Sequence, residues 1–196
     1  MMKLYYAPGA CSLSVRISLH EAGLDAEFER VDIPTKFTER GYDYTAINPK
    51  GYVPMLVLDD GNAVTENTAV LDFIADREPR LGARGPLGRT RLIEMLSWLS
   101  TELHVAFKPL WHDASPEEKA AAIEAVARRL DYLVDDVREL YLYGAHFTVA
   151  DAYLFVMLRW ARAFGGPIPI ELAGYFDRVA ERETVRRALA EEGLAP

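Results

Sequence analysis

The chain has 196 residues, 50% hydrophobic, 27% charged and 11% aromatic, a composition that excludes a disordered chain. Its single cysteine excludes a disulfide framework, and no apolar run reaches the ~18 residues a membrane helix needs. A net charge of −8 argues against the basic footprint of a nucleic-acid binder, and with no long apolar stretch after Met1 the expectation is a reduced, cytoplasmic protein.

Lys3 to Tyr6 reads as a short strand, broken by Ala7-Pro8-Gly9-Ala10. Apolar residues from Leu13 to Leu24 predict a helix stopped by the left-handed geometry open to Gly23. Glu27 to Ile33 alternates polar and apolar, as a half-buried strand does. Thr35 to Lys50 is polar and reads as an irregular or partly helical connection. Met55 to Leu58 and Ala63 to Thr65 predict a hairpin turning at Asp60-Gly61-Asn62. Thr68 to Arg77 has helical spacing. The order β-α-β-x-β-β-α implies a small mixed sheet with helices packed on it.

The composition then changes. Pro79 to Gly88 holds prolines, glycines and arginines and is the linker candidate, giving domains at 1–79 and 89–196 around a linker at 80–88. Beyond it the pattern is helical. One helix is expected from Arg91 to Trp111, kinked or ended by Pro109. A second should start at the cap Ser115-Pro116-Glu117-Glu118 and run to about Leu140. Thr148 and Asp151 form a capping box opening the most apolar helix, Ala152 to Ala163. Shorter helices follow near Ile170–Glu181 and Thr184–Glu192.

Chemistry-bearing residues are few. Cys11 lies where a strand, a Pro-Gly loop and a helix start meet, and a helix N-terminus lowers a thiol pKa. Cys11-Ser12-Leu13-Ser14 is a Cys-x-x-Ser string without a resolving thiol, so an external thiol is its natural partner; a small packing cysteine fits the position equally. Val53-Pro54 is either a trans strand start or a cis bond exposing the Val53 backbone. Thr65-Glu66-Asn67-Thr68 is either a plain helix cap or a cradle for a carboxylate and an ammonium. His104, Phe107 and Trp111 share one helix face, as core or as a binding wall. No metal-ligand spacing, Walker string or Gly-x-Ser-x-Gly setting is present.

Three long strings, Lys3 to Ser12, Ala46 to Pro54 and His146 to Phe155, occur together and in order. On them the chain resembles the cytosolic glutathione S-transferases, most of all the bacterial beta class. The resemblance covers nearly the whole chain. It implies a thioredoxin-like α/β N-terminal domain, an all-helical C-terminal domain and a homodimer. It also implies detoxification by conjugating glutathione, a co-substrate, to a small hydrophobic electrophile, with no tightly bound cofactor, metal, nucleic acid or membrane.

The resemblance makes Val53-Pro54 the family's cis-proline pair, whose first residue meets the cysteinyl backbone of glutathione. Glu66 and Asn67 would hold its γ-glutamyl end, and Lys36 its glycyl carboxylate. Cys11, Ser12 and His104 form the catalytic set. Tyr6, where other classes place a catalytic tyrosine, and Ala10 fall in the same binding segment. Ser97, Thr101, Glu102 and His104 match helix positions lining the site, some reaching across the dimer. Phe107, Trp111 and Trp160 would wall the electrophile. Two departures stand out: Val105 occupies a position where many members carry lysine, and Asn67 one where small residues are common. Two other functions stay open on the same residues: a glutathione-dependent thiol–disulfide reductase or peroxidase using Cys11, and a non-catalytic glutathione-binding protein.

Overall fold

The computed structural model describes residues 1–137 and 139–195. Arg138, inside the second helix expected above, and Pro196, the last residue of the expected helical domain, lie outside them. The N-terminal part holds β1 (Met2–Tyr6), α1 (Ser12–Ala22), β2 (Ala26–Asp32), β3 (Phe37–Thr38), α2 (Tyr44–Ile47), β4 (Met55–Val57), β5 (Ala63–Thr65) and α3 (Asn67–Arg77). The strands form one sheet in the order β3-β2-β1-β4-β5. β1 pairs parallel with β2 and antiparallel with β4, and β4 and β5 make the expected hairpin. The connection at 35–50 resolves into β3 and the single turn α2.

Both sheet faces are covered. α1 and α3 pack on one face through Leu13, Ile17, Leu71 and Ile74; on the other, Tyr5, Val31 and Met55 gather around the buried Tyr44 of α2. The alternation in β2 has an exception, since Glu29 is only 2% exposed. A carboxylate at such a place needs a cation, and Lys3 Nζ lies 3.2 Å from it.

The rest is helical: α4 (Gly88–Trp98), α5 (Lys108–Trp111), α6 (Pro116–Asp131), α7 (Val149–Ala163), α8 (Ile170–Ala180) and α9 (Glu183–Glu191). The caps behave as their local sequence predicts. Gly23 stands at φ 68°, with the Leu24 N–H on the Leu19 carbonyl, closing α1 in a Schellman turn. Ser115 and Glu118 exchange backbone–side-chain bonds at 2.8 and 3.2 Å. At α7, the fully buried Asp151 accepts from Thr148 N–H (2.8 Å), Thr148 O–H (2.7 Å), Leu142 N–H (2.9 Å) and Tyr175 O–H (2.7 Å). This α7 is buried along nearly its whole length and packs against α1, α3, α4 and α8, so one core spans both parts of the chain.

Two expected helices are shorter. The one expected at 91–111 is α4 continuing as a π-helical stretch, Leu99–His104, followed by a break and then α5. Pro109 sits in the first turn of α5 rather than ending a helix, because a first-turn residue has no intrahelical N–H bond to lose. The helix expected to reach Leu140 ends at Asp131 and turns follow through Val137. Asp131, Asp135 and Asp136 would lie at its C-terminal end, where the helix dipole disfavours negative charge. Leu133 and Val137 still reach the core from the turns. Among the described residues no helix is long and apolar enough to cross a membrane.

Candidate active site

An open cavity of about 740 Å³ lies where the β1–α1 loop, the Tyr52–Pro54 turn and the start of α3 face the π-helical stretch, α5 and α7. Of the residues expected at the site, Ala10, Cys11, Val53, Pro54, Glu66, Asn67, His104, Trp111 and Trp160 line it. Its volume falls in the ~300–1,000 Å³ range of small-molecule sites.

The loop under Cys11 is held from three sides. Ser12 Oγ accepts from the Ala7 N–H (3.2 Å) and donates to the Ala7 carbonyl (3.3 Å). Gly9, at φ 70°, donates its N–H to Glu192 (2.9 Å), and its carbonyl accepts from the Trp160 indole N–H (2.8 Å). Glu192 in turn pairs with the buried Arg16 at 3.0 Å. The Arg16 guanidinium lies between the rings of Tyr6 (4.2 Å) and Phe28 (3.9 Å). Arg16 and Glu192 were not singled out from the sequence. A buried arginine in an apolar helix was the available signal, since such a charge requires a partner.

The Val53–Pro54 bond is cis, the second of the two geometries left open. The Cys11 thiol donates to the Val53 carbonyl at 3.7 Å. Burial pushes this thiol up to about 12, and Glu66 adds to the rise; the backbone N–H groups of Cys11 and Ser12 oppose it and lose. The depressed thiol expected from a helix N-terminus is therefore corrected: desolvation outweighs the helix end. Val105 borders the cavity where a cation would have helped the thiolate.

Glu66 has φ 70°, an uncommon geometry for a residue other than glycine and one that clusters at binding sites. Lys50 Nζ bonds Glu66 (2.6 Å) and Thr65 (3.0 Å). Asn67 is buried and gives an amide N–H to Ser14 at 3.1 Å. On the opposite wall Trp111 and Trp160 meet edge to face at 4.6 Å, and His104 contacts both rings. Burial brings His104 down to about 4, so the ring is neutral at pH 7.

The remaining expected residues stand elsewhere. Tyr6 is buried under Arg16 and Ser12 under the loop, so neither side chain borders the cavity. Phe107 is fully buried behind Trp111 and Trp160, an element of the core rather than of the wall. Lys36 bonds the Gly51 carbonyl at 2.8 Å and sits over the Tyr52 ring, outside the lining. Ser97, Thr101 and Glu102 are exposed and outside the cavity; Glu102 pairs with Arg129 at 3.1 Å. Several lining residues escaped the sequence reading, among them Lys50, Ser100, Lys108, His112 and Tyr153. Tyr153 could have been noticed as a phenol in an otherwise apolar helix, since a buried hydroxyl needs a partner.

Residues 9–77 match the family model of the glutathione S-transferase N-terminal domain, and residues 75–190 that of its C-terminal domain. The chain is 42% identical to glutathione S-transferase GstA of Escherichia coli O157:H7, over 98% of this chain and all of that one. A beta class glutathione S-transferase of Sphingomonas chungbukensis superposes with a TM-score of 0.91 at 43% identity, over 98% of this chain and all of that one. A sphingomonad glutathione S-transferase complexed with glutathione superposes at 0.89 and 42% identity, with the same coverage.

Proposed function

The chain belongs to the glutathione S-transferase family, and on that premise we propose that its cavity binds glutathione and conjugates the glutathione thiolate to small hydrophobic electrophiles, a detoxifying reaction. One observation carries the reading: a single cavity joins Cys11 and the Val53 backbone to the Glu66–Lys50 cluster on one side and to the Trp111–Trp160 wall on the other.

In this reading the backbone of Val53 pairs with the cysteinyl unit. Glu66 and Asn67, at the positive end of α3, hold the γ-glutamyl end. Lys50 in the lining, with Lys36 behind Tyr52, supplies cations for the ligand's carboxylates.

Free glutathione thiol, with a pKa near the free-cysteine value of ~8.5, is only a few per cent ionised at pH 7. Lowering it by one to two units requires about 1.4–2.8 kcal/mol, which a few charge-assisted hydrogen bonds supply. The backbone N–H groups at the start of α1 are such donors. The raised pKa of Cys11 helps as well: a protonated Cys11 gives an S–H to the bound thiolate, where an ionised one would repel it. The same property argues against the reductase reading, which needs Cys11 itself as the attacking thiolate. The ionised sulfur then attacks an electrophile held against Trp111 and Trp160, with orientation lowering the barrier.

The division between the two domains falls at 80–88. The exposed Ser97, Thr101 and Glu102 belong to a face that meets a second copy, giving a homodimer. Sedimentation should then report a mass of twice 22.0 kDa. The direct test of function is steady-state conjugation of glutathione to an activated aryl halide. Saturation in glutathione above the uncatalysed rate supports the reading, and its absence refutes it.

A further inference from the structure

The electrophile side of the cavity carries a charge that the reading above leaves unused. Lys108 opens α5 and His112 follows its last residue; both line the cavity, as does Trp111 between them. Among the described residues neither side chain has an ion-pair or hydrogen-bond partner. Trp111 stacks on the buried Phe107 at 6.0 Å and meets Trp160 edge to face, yet it stays 42% exposed, so part of its ring is open to a ligand.

The charge balance of the lining differs from that of the chain. The protein carries −8 overall, whereas two lysines, Lys50 and Lys108, and a single carboxylate, Glu66, line the cavity. Lys50 takes that carboxylate at 2.6 Å. Lys108 has no such counter-charge. An unpaired ammonium next to an open indole ring suits a ligand with a flat apolar body and an anionic end: the body covers the tryptophans and the ammonium attracts the anion. An anionic electrophile must also approach a thiolate, and a cation beside it offsets that repulsion.

We propose that Lys108 is a specificity-determining residue that selects electrophiles bearing a carboxylate on an aromatic or conjugated body, with a ring N–H of His112 as a second donor to that carboxylate. The proposal rests on the glutathione-conjugating reading given above and narrows its substrate class.

The test compares two activated aryl halides of the same shape, a para-chlorodinitrobenzoate and its neutral amide. With either, the glutathione sulfur bonds to the ring carbon that holds chlorine, chloride leaves with the bonding electron pair, and the thiol proton passes to water; the carboxylate only binds. Dividing each kcat/KM by the uncatalysed rate constant removes the difference in intrinsic reactivity. Wild-type protein should prefer the carboxylate about fivefold, the upper end for a solvent-exposed ion pair, and added salt should shrink the preference. Lys108→Gln should abolish it and Lys108→Glu should reverse it, at one KM for glutathione throughout. Binding is read without turnover: dinitrobenzoate, which lacks the leaving group, should quench the tryptophan fluorescence of glutathione-saturated protein at about fivefold lower concentration than dinitrobenzamide, and Lys108→Gln should erase that difference. Equal normalised rates for the two probes in wild-type protein would overturn the proposal, as would a preference that survives Lys108→Gln. A raised KM for glutathione in Lys108→Gln would overturn it too, by assigning the lysine to a carboxylate of glutathione. In each of these cases conjugation itself would stand. Absence of conjugation with both probes, by contrast, would remove the reading beneath the proposal, and the proposal with it.

Discussion

Alkylation of Cys11 should be slow at neutral pH and should keep accelerating up to at least pH 10. Relative to an ordinary thiol at 9.0, burial and Glu66 displace Cys11 upward by about three units, to about 12. At pH 8 the thiolate population is then lower by about 1,000-fold. A more basic thiolate is a better nucleophile, and a Brønsted slope of ~0.4–0.5 over three units returns about 20-fold. The net expectation is a rate about 50-fold below that of a free thiol at the same pH, before any steric obstruction. The assay is iodoacetamide labelling of glutathione-free protein across pH 6–10, followed by intact mass. Cys11 is the one cysteine in the chain, so one added label reports it directly. Glu66→Gln should increase the rate at a given pH, because it removes a charge that disfavours the thiolate. A rate that levels off below pH 9 would refute the reasoning, since it would mean that the helix end outweighs desolvation.

Other expectations follow from the same geometry. Asp151→Ala should cost about 3 kcal/mol in urea unfolding, from the lost cap and the buried Leu142 N–H and Tyr175 O–H left unsatisfied; a loss below 1 kcal/mol would contradict this. Arg16, Arg187 and His20 hold Glu191 at about 2. His20 is itself pushed below its ordinary value by burial, so at pH 7 the two arginines supply the positive charge. A carboxylate depressed from 4.5 to about 2 stabilises the fold above pH 4.5, and the gain is lost as pH falls through 2. Glu191→Gln should therefore cost about 1–2 kcal/mol at pH 7, after allowance for solvent screening, and roughly half of that at pH 3; an equal cost at both pH values would rule out the assignment. Trp160→Phe removes the indole bond to the Gly9 carbonyl and should raise KM for glutathione several-fold, measured by initial rates, with kcat little changed; an unchanged KM would detach Trp160 from the loop's role.

What the sequence determined by itself was set by donors and acceptors lying within about four residues of one another. The Gly23 stop, the Ser115–Glu118 box, the Asp60–Asn62 hairpin and the Thr148–Asp151 cap were legible because each depends on donors and acceptors a few positions apart. From them followed the element order, while the three long strings supplied the family and, with it, most of the cavity. Only the tertiary structure decided the rest. Cys11 meets the Val53 carbonyl from 42 positions away and Gly9 meets Glu192 from 183. Desolvation and pairing at such separations leave no periodic mark on the chain. That is why a thiol at a helix start ends up raised rather than depressed, why Ser12 and Phe107 turn inward, and why Lys50 and Tyr153 line the cavity unannounced. Local hydrogen bonding shapes the elements, whereas the electrostatics of the site depend on which distant groups exclude water from it.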